Sequence, residues 1–82
     1  MIKIHCNPDH RENEQRIKNG ETGCFICGKG VKEPWKNSIH VYLGYYAVME
    51  DEKIEEGGDM GMFPVGSDCL KKYPELLPYI SH

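Results

Sequence analysis

Cys24 and Cys27 stand two residues apart, with Gly28 directly behind the second. Two thiolates at this spacing chelate one tetrahedral ion when the backbone between them curls, and a glycine after the second lets amides approach the sulfurs. Glycines at 20, 23, 28 and 30 make the segment too glycine-rich for a helix and suit a tight turn. A thioredoxin-like redox pair would open a long helix within a βαβ unit, which Gly28-Lys29-Gly30 opposes. The pair is therefore expected to form a metal knuckle, half of a site.

A closed structural zinc site takes about four nitrogen or sulfur ligands. The third expected ligand is Cys69, because Gly66-Ser67-Asp68 precedes it and either Ser67 or Asp68 suits the N-cap of a short helix. The first turn of a helix presents free amides and a partial positive charge that favour a thiolate. The fourth is expected to be His40, on a predicted strand over residues 39–43, on the face opposite Ile39, Val41 and Leu43. One Zn2+ bound by Cys24, Cys27, His40 and Cys69 is the resulting Cys3His site. Cys6, His5 and His10 stand as alternatives for the fourth position. An iron–sulfur cluster on Cys6, Cys24, Cys27 and Cys69 would lack the close cysteine spacings of ferredoxins.

Size makes such a clip necessary. A chain of 82 residues that is 39% hydrophobic is one small domain with a thin core, and cores this small are usually supplemented by a metal, disulfides or oligomerisation. No apolar run suits a secretory signal or approaches the ~18 residues of a membrane span. A cytoplasmic location with no membrane partner is expected, where thiols stay reduced. Net charge is -3, which argues against nucleic-acid binding through a global positive field. The acidity is local, since residues 50–59 carry six Asp/Glu against one Lys.

Along the chain, Asn7-Pro8-Asp9 reads as the start of a helix extending to Asn19 and stopped by Gly20. Ile17 is its one large aliphatic residue, so residues 1–19 are expected to form a polar helical arm on a zinc-binding domain at 20–82. Residues 39–49, rich in β-branched and aromatic side chains, read as strand with a turn or bulge at Gly44. Residues 50–59 read as a mobile acidic loop. Met60 to Val65 reads as a strand that Pro64 confines to an edge or end. The fold class expected is α+β.

A Cys-x2-Cys-Gly knuckle, a hairpin and a final helix begun by a ligand cysteine resemble treble-clef zinc fingers. The string from Met60 to Lys72 is similar to small zinc-finger-like proteins of bacteriophages. The likeness spans about residues 16–73 and implies ligand roles for Cys24, Cys27 and Cys69. It departs from the usual treble clef in that Lys72 stands where the closing helix would supply a second ligand.

Zinc hydrolase and deaminase motifs are absent from the sequence, as is a Gly-x4-Gly-Lys-Ser/Thr phosphate loop, so no enzymatic activity is expected. The expected role is a protein-interaction module. Its acidic loop or polar helix would meet a basic partner, a host nucleic-acid enzyme if the phage likeness carries over. The alternative is a nucleic-acid-binding finger in which Lys29, Lys32 and Lys36 neutralise phosphates around a stacking Trp35.

Overall fold

The computed structural model describes residues 1–81, so His82, the end of the 20–82 domain expected above, lies outside the described residues. In chain order it contains β1 (Ile2–Lys3), α1 (His10–Glu14), β2 (Glu21–Gly23), β3 (Gly30–Lys32), β4 (Ser38–Tyr42) and β5 (Tyr46–Val48). A 3₁₀ turn (Glu56–Gly58) leads to β6 (Asp59–Pro64), α2 (Ser67–Lys72), a second 3₁₀ segment (Pro74–Tyr79) and β7 (Ile80–Ser81). The α+β class is the one expected.

Alternation along β4 sets the centre of the molecule. Ile39 and Val41 are fully buried while His40 and Tyr42 are half-exposed, because successive strand residues point to opposite faces. β4 pairs antiparallel with β5 on one side and β6 on the other, β1 extends the sheet beyond β5, and β7 also pairs with β4. β2 and β3 form a separate two-stranded ribbon that carries the knuckle. The ladder between β4 and β6 shifts register at Val41/Tyr42, opposite Gly61, whose φ is +84°. β6 is an outer strand and ends in Pro64, as its sequence led one to expect.

The β4–β5 turn has Leu43 at φ +57° and Gly44 at φ +85°. Two central residues with positive φ are what a type I′ turn demands, here over Tyr42–Tyr45 with the Tyr45 amide on the Tyr42 carbonyl at 3.3 Å, and asparagine normally takes the first place. Leucine in the left-handed region costs about 1–2 kcal/mol, and Leu43 is half-exposed, so it recovers little of this by burial. Leu43→Asn is expected to stabilise the protein by about 1 kcal/mol, seen as a rise of about 4–8 °C in thermal midpoint. An unchanged or lower midpoint would show that the leucine side chain is needed against Gly58, which it touches.

The N-terminal segment differs from the expected long helix. The α-helix runs only from His10 to Glu14, with Asp9 at its N-cap position. Asn7, expected at its start, instead makes a turn ahead of it, its side chain accepting the Asp9 amide at 2.8 Å. With one aliphatic residue and no apolar stripe the segment has little to dock along a longer helix. Its hold on the rest comes through polar groups and one strand. The Asn7 amide donates to the Ile26 carbonyl at 2.8 Å, the Asn13 side chain donates to the Cys27 carbonyl at 2.8 Å, and β1 pairs with β5. Ile4 is buried in the same core as the knuckle.

The acidic stretch is likewise tied back. Glu52 accepts from the Met49 amide at 2.8 Å and pairs with the Met1 amino group, and Gly58 is buried with its carbonyl on the Leu43 amide at 2.7 Å. These bonds hold both ends of a segment whose charges alone suggested mobility.

Candidate metal centre

Twelve apolar residues make up the buried core, and three of them are Cys24, Cys27 and Cys69. A quarter of the core is thus thiol, placed among Ile26, Ile39, Val41, Val65 and Leu70. Each cysteine arrives by a different local device. Gly28, at φ +78°, lets its own amide reach back to the Cys24 carbonyl at 2.9 Å, and the Cys24 amide donates to the Lys29 carbonyl at 2.8 Å. This closes the knuckle between β2 and β3. Cys69 lies in the first turn of α2, its amide on the Gly66 carbonyl at 3.1 Å.

The three sulfurs all lie within 4.8 Å of one another. Metal–sulfur bonds of about 2.3 Å in a tetrahedron separate neighbouring sulfurs by about 3.8 Å. The Cys24 and Cys69 sulfurs are 3.7 Å apart, so these residues fit a metal ion between them. All four cysteines are free thiols.

The electrostatics suit an ion as well. Cys24 is drawn down to about 5, first by the hydrogen bond with Cys69, against burial, and then by backbone amides that include Gly66, 3.2 Å from the sulfur. Cys69 is pushed far above the usual thiol range by the same bond, by burial and by the charge on Cys24. The pair therefore holds one proton between two sulfurs, the place a cation would take. Around neutral pH metal uptake displaces that single proton from the pair; below about pH 5 Cys24 is protonated too and two must leave. The metal affinity is expected to fall more steeply with acidification below pH 5 than above it, measurable by competition with a chromophoric chelator across pH.

The structure brings Cys24, Cys27 and Cys69 together and does not bring His40 to them. The His40 ring bonds Asp59 instead, Nε2 to Oδ1 at 2.6 Å, and this pairing, with the Gly61 amide, lowers the Asp59 carboxyl. His40 does lie on the face opposite Ile39 and Val41, as its place in the strand indicates. The sulfurs, however, pack on the Ile39 and Val41 side, so the sheet separates His40 from them. His40, expected as the fourth ligand from its place on the strand, is thus not part of the sulfur group.

None of the alternatives joins the sulfur group among the described residues. His10 Nδ1 lies 3.1 Å from Glu14, and His5 is exposed beside Tyr73 and Leu76. Cys6 is the nearest in chemistry. Its thiol donates to the Phe25 carbonyl at 3.5 Å, is raised by burial and by the Cys24 charge, and borders a cavity with Cys24. On this placement, His40→Ala and Cys6→Ser are each expected to retain metal at wild-type stoichiometry, checked by elemental analysis after desalting. Loss of the metal in either variant would identify it as a ligand.

A cleft of about 230 Å³ opens on all three sulfurs and is bordered by Lys29, Ser67 and Asp68. It adjoins a second of about 180 Å³ flanked by Lys32 and Lys36, the two sharing Val31, Gly66 and Ser67. Trp35, which the sequence offered as a stacking platform, is half-buried, with its indole N–H shut from solvent and without a partner. Sequence reasoning missed the Gly66 amide on Cys24 and the clasp of Asn13 on Cys27. Gly66 was legible, as an amide source just before a ligand cysteine; nothing in the spacing of Asn13 pointed to residue 27.

Compared with protein-family models, curated proteins and solved structures, the chain finds no match.

Proposed function

We propose that this chain is a protein-interaction module built around one structural zinc ion held by Cys24, Cys27 and Cys69. The observation that carries the zinc reading is the mutual approach of three buried sulfurs to within 4.8 Å, with Cys24 and Cys69 at 3.7 Å. Thiolate donors suit zinc, and burial of the sulfurs in the main core gives the ion a scaffold role. The knuckle between β2 and β3, the β4–β5 hairpin and the position of Cys69 at the start of α2 support a treble-clef-like arrangement. When bound, the ion would supply a cross-link between the knuckle and α2.

The interaction role is supported by the separation of charge. Lys29, Lys32 and Lys36 border the clefts near the sulfurs, while residues 50–59 carry a net charge of -5. The same lysines support a second reading, nucleic-acid binding, because the Lys32 and Lys36 cleft has no acidic residue in its walls. The test is elemental analysis joined to binding. Protein purified without chelator should carry about one zinc per chain; metal near zero would end the zinc reading. Changing Glu50, Asp51, Glu55 and Glu56 to Gln should slow association with a cationic protein partner and flatten its salt dependence. For a nucleic acid the same change should strengthen binding by removing repulsion, and that sign would favour the second reading.

A further inference from the structure

A groove of about 700 Å³ opens on the sheet face away from the sulfurs. Its floor follows from strand register. His40 sits opposite Val48 on β5 and opposite Met62 on β6, so these three side chains share one face. Met49 and Glu50 border it, and Tyr79 and Ile80 line it from the C-terminal segment. Met62 is 43% exposed, an unbranched side chain that adapts to varied apolar shapes. The acidic groups are of one sign: Glu50 lines the groove, Asp59 bonds the ring of His40, which also lines it, and both acids belong to the stretch with net charge -5. Among the described residues, no lysine or arginine contributes to the lining.

From this we infer that the groove is the docking site of the module, and that its partner is a basic amphipathic helical segment of another protein. The inference rests on the protein-interaction reading above and gives it a surface and a chemistry. An apolar strip on such a segment would lie over Met62, Val48 and Tyr79, while its lysines or arginines meet Glu50 and the acidic run. A nucleic acid would be repelled by this face, and an uncharged apolar segment would leave its acidic rim unanswered.

The probe is a fluorescein-labelled synthetic peptide of lysine and leucine with the leucines on one helical face, titrated into the zinc-loaded protein and followed by anisotropy. The control peptide has the same composition with the leucines spread round the helix. The patterned peptide is expected to bind more tightly than the control, with affinity falling as salt rises. Met62→Asp is expected to weaken it about tenfold, the size of a contact central to an interface, while Met60→Asp, on the same strand but outside the groove, should change it less than about twofold. Both positions are exposed, so the fold and zinc content should be intact in both variants. Equal binding of the two peptides, equal effects of the two variants, no binding, or Met62-dependent binding of single-stranded DNA in place of the peptide would each overturn the inference. Zinc content measured on the same samples separates that failure from failure of the zinc reading.

Discussion

Cys24→Ser and Cys69→Ser are each expected to abolish metal binding and leave the chain unfolded at 25 °C. A structural zinc ion contributes about 10–16 kcal/mol in small domains, whereas the net stability of a folded protein is about 5–15 kcal/mol. Removing one ligand from a three-thiolate set thus removes a term as large as the whole margin. The geometry deepens the loss, because Cys24 is 1% exposed and its sulfur accepts the Gly66 amide. Serine there places a hydroxyl in the core and weakens the link between the knuckle and α2. Far-UV circular dichroism and elemental analysis read the outcome, with Cys6→Ser as the folded comparison. A Cys24→Ser chain that folds cooperatively without metal would show that apolar packing alone holds the molecule.

Gly28→Ala should be the most damaging substitution outside the cysteines. Gly28 has φ +78°, which costs a residue with a Cβ about 1–2 kcal/mol by itself. The added methyl would also run into the backbone carbonyl of His10 and crowd the Glu14 side chain. A carbonyl in α1 cannot swing aside as a side-chain tip can, so either the knuckle or α1 must move. Gly20→Ala is the matched control: φ is +84° there, but the space around it is open, and only the conformational cost applies. The expected order is a loss well above 2 kcal/mol for Gly28→Ala and about 1–2 kcal/mol for Gly20→Ala, measured by denaturant unfolding of the metal-loaded protein. Equal losses would show that α1 does not bear on the knuckle.

These two positions mark what the sequence made legible. The Cys24–Cys27 spacing and the glycine behind it are local, and local geometry is what spacing encodes. Cys69 was legible because a helix start could be read just before it, although Gly66, and neither Ser67 nor Asp68, takes the N-cap position. His40 was read to the correct face of its strand, but alternation tells which side a residue takes and not which distant segment meets it there, and its ring meets Asp59. The N-terminal segment was opaque for the opposite reason. Its contacts, Asn7 to Ile26 and Asn13 to Cys27, are single hydrogen bonds between remote polar groups, and they leave no periodic trace. In the acidic run the charges are visible in sequence while the burial of Gly58 is not.

The outer strand β6 bears on how the protein behaves at high concentration. An unpaired strand edge is a template on which further copies can polymerise. Along β6 that template is interrupted twice, by the Gly61 irregularity and by Pro64, which has no N–H to offer. Its far end is also capped by the knuckle, through the Phe25 amide on the Pro64 carbonyl at 2.9 Å. Exposed methionines can therefore stand on this strand without inviting fibrous assembly, leaving side chains rather than backbone as the means by which anything attaches to it.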